Sequence, residues 1–318
     1  MKDTILLVGH GSREKSGNDE IEQFARLWRA RHPHWRTELC FIEFAEVEVE
    51  DGLDHAAAGA ERVIVVPLIL NAAGHVNVEI PSHIARARLR HPGVRFDYAP
   101  HLGVSEPVLA ILRRQLKHCM QQLDVPDPTG TGVVLLGRGA SNKEANGEMA
   151  RMTRWLFEEG DHELVDLAFT GIAWPRLERV VQRQVQLGMR QVIVLPYYLF
   201  TGTLIQRIGR QVEHLRAQYP QVRFALGKHF GFEPEIAGLL AQRIEALLQG
   251  TLHAVPVSAE AALWEAHHHH HDHEPHGHEH GHEQHAHGHD HAHHHPHDHD
   301  HPHEHDHAHE HEHAQHGH

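Results

Sequence analysis

Three side chains in this sequence could hold a metal ion together: His10, Glu43 and His75. His10 follows the apolar run Ile5-Leu6-Leu7-Val8 and lies between Gly9 and Gly11, whose freedom lets the backbone turn sharply and leaves the ring uncrowded. His75 comes after a second such run, Val63-Ile64-Val65-Val66-Pro67-Leu68, and Glu43 sits at the end of a third, Leu39 to Phe41. Two imidazoles and a carboxylate suit a divalent first-row metal, and three protein ligands leave coordination positions open, as a site that passes its metal on requires. A neutral imidazole can also take up a proton near physiological pH.

The elements that must position these groups alternate. Strand-like runs at about 4–8, 38–44, 62–69, 94–98, 132–136, 163–170, 191–198 and 222–226 are separated by amphipathic, helix-like stretches at about 17–32, 47–58, 80–91, 104–123, 143–159, 176–188, 204–219 and 232–249. This alternation predicts an α/β fold with parallel sheets and right-handed crossovers, in which ligands bind at the carboxyl ends of the strands.

The chain also repeats itself at an offset of 128. Leu7-Val8-Gly9-His10-Gly11-Ser12 matches Leu135-Leu136-Gly137-Arg138-Gly139-Ala140, Lys15 and Asn18 match Lys143 and Asn146, and His101 matches His229. The run Val63–Pro67 matches Val192–Pro196 after a one-residue slip. The expected layout is a lobe at 1–123, a Pro/Gly-rich linker at 124–132, a similar but degenerate lobe at 133–250, and a tail at 251–318. The two lobes should face each other across a cleft. Residues kept in both copies serve the fold, and His101 and His229 are read as structural on that ground. Residues present in one copy are candidates for chemistry: His10 faces Arg138, Glu43 faces Gly171, and His75 faces Thr203 or Leu204.

Composition narrows the function classes. Of 41 histidines, 28 lie from His267 onward, with 11 acidic residues and no Lys or Arg, so most of the formal charge of −14 belongs to that stretch. Such a segment cannot bury enough apolar surface to offset its ordering entropy; it is expected to be disordered without metal and to bind Co²⁺, Ni²⁺, Cu²⁺ or Zn²⁺ with little selectivity. His267 to His271 alone would pass for an expression tag, but the mixed 47 residues after them do not. Cys40 and Cys119 form no Cys-x-x-Cys pair, which argues against a disulfide framework or a cysteine metal site. No signal peptide, membrane-spanning run or basic stripe with interleaved aromatics is found, so a cytoplasmic protein with no membrane or nucleic-acid partner is expected.

Three motifs carry a family resemblance: Leu7-Val8-Gly9-His10-Gly11-Ser12-Arg13, Phe41-Ile42-Glu43-Phe44-Ala45, and Ala72-Ala73-Gly74-His75-Val76-Asn77-Val78-Glu79-Ile80-Pro81. Together they resemble the class II tetrapyrrole chelatases, in particular the long, two-lobed sirohydrochlorin cobaltochelatase type of the anaerobic cobalamin pathway. Leu195-Pro196-Tyr197-Tyr198-Leu199-Phe200-Thr201-Gly202 resembles that family's degenerate second lobe, and the likeness spans about residues 3–250. Glu79 stands where the family more often has Asp; it keeps the charge and adds a methylene.

The resemblance implies insertion of Co²⁺ into sirohydrochlorin without ATP, and the sequence has no Gly-x-x-x-x-Gly-Lys-Ser/Thr phosphate loop. It implies that His10, Glu43 and His75 hold the metal while a bent macrocycle receives it, and that the pyrrole protons leave to His10 first or His75 second. The metal is a substrate and no organic cofactor is expected; Ni²⁺, Fe²⁺ or Zn²⁺ are the other metals considered. Sirohydrochlorin is rich in carboxylates, so Arg13, Arg138, Lys143 and Arg207 are expected to bind it, with Ser12 and Asn77 from the matching motifs. Arg138, in the position of His10, could clamp a carboxylate bidentately. Iron insertion for sirohaem is the alternative within the enzyme class, and nickel or cobalt storage or metallochaperone activity the alternative outside it. With both lobes in one chain, a monomer can build the cleft.

Overall fold

Apolar runs without a polar face must be covered on both sides, which a parallel sheet between helices provides. In the computed structural model, which describes residues 2–123 and 127–261, these runs form two four-stranded parallel sheets. The first half contributes β1 (Asp3–Gly9), α1 (Lys15–Arg31), β2 (Arg36–Phe41), α2 (Val49–Ala57), β3 (Arg62–Pro67), α3 (Ile80–Arg90), β4 (Arg95–Tyr98) and α4 (Glu106–Gln122). The second contributes β5 (Thr131–Gly137), α5 (Lys143–Glu158), β6 (Val165–Phe169), α6 (Leu177–Gln186), β7 (Gln191–Pro196), α7 (Thr203–Gln218), β8 (Arg223–Leu226) and α8 (Pro234–Leu248). Strand order is β2-β1-β3-β4 in one sheet and β6-β5-β7-β8 in the other, so the repeat read from the sequence is a repeat of topology.

The halves are more interlocked than a linker between two lobes suggests. Helix α4 packs on β7 and β8 of the second sheet, whereas α8 returns to pack on α4 and on β3 of the first. Each half thus lends its last helix to the other. One continuous apolar cluster results, running from Ile5 and Leu7 through Ile111 and Leu112 to Val133, Leu135, Ile236 and Leu240. Arg62 anchors the exchange: its Nε donates to Asp97 Oδ2 at 2.6 Å and its Nη2 to the Leu247 carbonyl at 2.9 Å.

The paired histidines join the halves as well. His101 Nε2 lies 2.9 Å from Glu148 Oε1 and His229 Nε2 lies 2.8 Å from Glu20 Oε1, so each half's histidine meets the other half's first helix. Glu148 Oε2 also accepts the Ala72 N–H at 3.1 Å, and Glu20 Oε2 accepts that of Thr201. The structural reading of both histidines therefore has a physical basis.

Three boundaries differ from expectation. Thr131 and Gly132 belong to β5, not to a linker, because both are inside the sheet and Gln184 packs directly on the Gly132 backbone; residues 124–126 lie outside the described set. Residues 251–261 are ordered along the first half and are not part of a tail: Val255 N–H donates to the Tyr98 carbonyl at 2.8 Å, Arg88 Nη1 donates to the Val257 carbonyl at 3.1 Å, and both valines pack on the apolar cluster of that sheet. The helical segment expected at 80–91 starts earlier, because His75 begins a π-helical turn, His75–Glu79, that runs into α3. The histidine-rich stretch lies outside the described residues. Among the described residues no helix is long and apolar enough to cross a membrane.

Candidate metal centre

The strand order reverses direction between β1 and β3, and the crevice at such a switch point is where open α/β sheets bind ligands. His10 follows β1 and His75 follows β3, with Glu43 beyond the end of the neighbouring β2. The His10 and Glu43 loops touch. Glu43 N–H donates to the His10 carbonyl at 3.2 Å, and a Cβ on Gly11 (φ 89°) would fall 1.8 Å from the Glu43 carbonyl oxygen, so that position admits only glycine. The turn carrying His75 is held by Tyr98 from β4, whose hydroxyl donates to the Val76 carbonyl at 3.0 Å.

The two imidazole rings meet edge to face, with centroids 4.6 Å apart at 80°. His10 Nδ1 is 3.6 Å from Glu43 Oε1, and His10, Glu43 and His75 each offer a ligand atom within 4.8 Å of the others. Ligand atoms on a tetrahedral ion stand about 3.4 Å apart, so small side-chain rotations would close the set on a metal. Among the described residues it is the one group of this kind. The equivalent positions in the second half hold Arg138, Gly171 and Thr203 or Leu204, which cannot form it.

Hydrogen bonds select the ligand atoms. His10 Nδ1 lies 3.1 Å from the Gly11 carbonyl, which assigns the proton to Nδ1 and makes Nε2 the acceptor, where Arg138 Nη1 donates at 3.3 Å and a metal would bind in its place. Burial, then the nearby His75, then Arg138 lower the His10 pKa to about 4, so the ring is neutral at physiological pH. His75 Nδ1 is hydrogen-bonded to Glu79 Oε2, which turns its Nε2 outward as a ligand. Burial is the largest single influence on Glu79 and disfavours its charge, but the His75 hydrogen bond and the neighbouring His75, His83 and His10 together hold the carboxyl below the usual range. Burial pushes Glu43 the other way, upward, against the pull of His75.

The remaining sequence candidates divide. Arg138 reaches the centre, touching His10. Arg207 shares a neighbour with Arg138: the Tyr198 hydroxyl, 2.7 Å from Thr170 Oγ1, is raised to about 12 by burial while both Arg138 and Arg207 exert the opposite pull. Arg13 stacks 5.0 Å over the Phe44 ring and acts on Glu43. Ser12 is engaged structurally instead, its Oγ accepting the Glu14 N–H at 3.1 Å and its side chain wedged against Gly17 and Gly202. Asn77 donates to the Ala72 carbonyl at 3.0 Å, bracing its own turn. Lys143 is 90% exposed and pairs with adjacent Glu144. Glu79 was absent from the expected site, although the His75/Glu79 spacing of four was a readable signal that both share one helical face.

The CbiX family model matches residues 4–119 and again 132–247, the two halves defined by the sheets. The sirohydrochlorin cobaltochelatase of Priestia megaterium is 37% identical over 250 residues, covering 78% of this chain and 80% of the relative. The sirohydrochlorin ferrochelatase of the same organism is 30% identical over 247 residues, covering 77% and 91%. Among solved structures, SirB from Bacillus subtilis with Fe³⁺ superposes with a TM-score of 0.68 at 30% identity, covering 80% of this chain and all of that one. With both halves matched and the metal set in one of them, this chain belongs to the CbiX family.

Proposed function

We propose that the protein is a sirohydrochlorin chelatase that inserts Co²⁺ without ATP, on the path to a cobalamin-type product. The observation that carries this reading is the convergence of His10, Glu43 and His75 at the switch point of one sheet, opposed by Arg138 from the other. Support also comes from the names of two relatives, a cobaltochelatase and a ferrochelatase, both of which act on sirohydrochlorin.

In this mechanism Co²⁺ is held by His10 Nε2, His75 Nε2 and a Glu43 oxygen, with its remaining positions open to pyrrole nitrogens. Arg138, Arg207 and Arg13 meet the carboxylates at the edge of the macrocycle and set it over the metal. As the metal enters, two pyrrole N–H protons leave. We place His75 before His10 as their acceptor, the reverse of the order expected from sequence: the His75 ring is hydrogen-bonded to the Glu79 carboxylate, whereas burial, His75 and Arg138 oppose positive charge on His10. Protein ligands are exchanged for pyrrole nitrogens one by one, so the ion is never released to water.

The histidine-rich stretch is assigned the role of a metal reservoir that raises the local metal concentration. Deleting residues 267–318 should leave the rate unchanged at high Co²⁺ and lower it when Co²⁺ is scarce; equal rates throughout would remove that role. The chain acts as a cytoplasmic monomer, since one polypeptide supplies both walls of the cleft. Iron is the second reading for the metal, favoured by the ferrochelatase relative and by the Fe³⁺-bound SirB structure. Incubation with sirohydrochlorin and Co²⁺, Fe²⁺ or Ni²⁺ separately, followed by visible absorption, tests both. Fastest metallation with Co²⁺ is expected, faster metallation with Fe²⁺ would reassign the metal, and no metallation with any of them would sink the reading in favour of storage.

A further inference from the structure

Two residues in equivalent loops of the halves, one next to Glu43 and the other next to the Gly171 that holds the Arg138 backbone, accept costs that folding alone does not explain. Among the described non-glycine residues, Phe44 and Ile172 are the two with positive φ, each 58°. That region is strained for an L-residue, and most so for a β-branched one. Both are also large apolar side chains left in water, 44% and 58% exposed. If the turn were the only requirement, glycine would make it without strain.

Their placement is equivalent in the two halves, 128 residues apart. Phe44 follows the metal-set residue Glu43, and Asn18 Nδ2 donates to its carbonyl at 2.7 Å. Ile172 follows Gly171, whose N–H holds the Arg138 carbonyl at 3.0 Å; the next N–H, of Ala173, closes back on the Gly171 carbonyl at 2.6 Å. Each loop carries a guanidinium over an aromatic ring. Arg13 lies 5.0 Å over the Phe44 ring, and two residues beyond Ile172 the 71%-exposed Trp174 carries Arg176 at 4.8 Å. Apolar surfaces edged with guanidinium groups complement a flat, largely hydrocarbon ligand with anions on its rim.

Resting on the function proposed above, we infer that Phe44 and Ile172 are apolar jaws, one from each half, that grip the tetrapyrrole ring over the metal centre while Arg13 and Arg176 meet its peripheral carboxylates. The jaws make contact with the hydrocarbon face, and so fix the ring's position independently of its charges. Neither residue handles the metal.

Phe44→Gly and Ile172→Gly remove the side chain and relieve the backbone, so folding is preserved and the thermal midpoint should stay level or rise. Each should raise the KM for sirohydrochlorin about tenfold, the scale of burying one exposed apolar side chain. The KM for Co²⁺ should hold, and Phe44→Leu should recover most of the loss. An unchanged sirohydrochlorin KM in both glycine variants would overturn the inference. So would a matching rise in the Co²⁺ KM, which would mean that Phe44 acts through Glu43. If the wild-type chain metallates sirohydrochlorin and the variants equal it, only the jaws fall; if the wild-type chain neither binds nor metallates it, the functional reading falls and takes the jaws with it.

Discussion

Replacing Arg138 with alanine should move the two substrates in opposite directions. Its Nη1 donates to His10 Nε2 at 3.3 Å, the same lone pair the metal needs. With Co²⁺ on that nitrogen, the guanidinium would stand about 5 Å from the ion, given ordinary metal–nitrogen lengths. A unit charge facing a dication at that distance costs about 1.7 kcal/mol in water. Screening at physiological salt reduces this to about 0.9 kcal/mol. The KM for Co²⁺ should therefore fall roughly fivefold in Arg138→Ala. The KM for sirohydrochlorin should rise about tenfold or more, the scale of a lost charge-assisted hydrogen bond to a carboxylate. Both are read from initial metallation rates by visible absorption, comparing wild type and variant chains ending at Ala261 so that the terminal histidines do not buffer the metal. A weakened Co²⁺ response, or an unaltered sirohydrochlorin KM, would refute the placement of Arg138 between the substrates.

Further outcomes follow from the same geometry. Glu79→Gln should weaken the metal site about 10- to 100-fold, as loss of a histidine's carboxylate partner generally does, and Glu79→Asp should restore part of it; Co²⁺ dependence of the rate is the measure. Glu20 and Glu148 are opposed by burial, yet their hydrogen bonds to His229 and His101 hold both below the usual carboxylate range. A depressed folded pKa contributes stability that is present above the unfolded value of about 4.5 and is lost as pH falls through the folded one. The double variant Glu20→Gln/Glu148→Gln should accordingly be less stable at neutral pH and lose less on acidification, seen as a flatter urea midpoint between about pH 5 and pH 3. Ending the chain at Gly250 should cost about 1–3 kcal/mol of stability through loss of the Val255 and Val257 contacts, whereas ending it at Ala261 should cost nothing; thermal melts distinguish the two.

The internal repeat made much of this legible in advance. His10, Glu43 and His75 could be separated from His101 and His229 because the second half replaces the first three and retains the others. Asn18 and Asn146, also kept in both halves, brace the same loop in each: their Oδ1 atoms accept the N–H of Ser12 and of Ala140 at 2.8 and 3.0 Å. That Ser12 and Asn77 also brace their own loops was not legible, because a motif does not reveal which backbone groups a polar side chain meets. Glu79 was seen as a variant letter and not as a partner of His75, since that role depends on the helical turn beginning at His75 itself.

The amino-acid order by itself determined the strand and helix alternation, the duplication, and the side chains able to bind metal, because apolar periodicity and residue chemistry are local properties. The exchange of α4 and α8 was decided only in three dimensions: the apolar stripe of a helix is the same whichever sheet it covers. The approach of Arg138 to His10, across 128 residues of chain, was decided there too, because it depends on how two sheets close over one shared core.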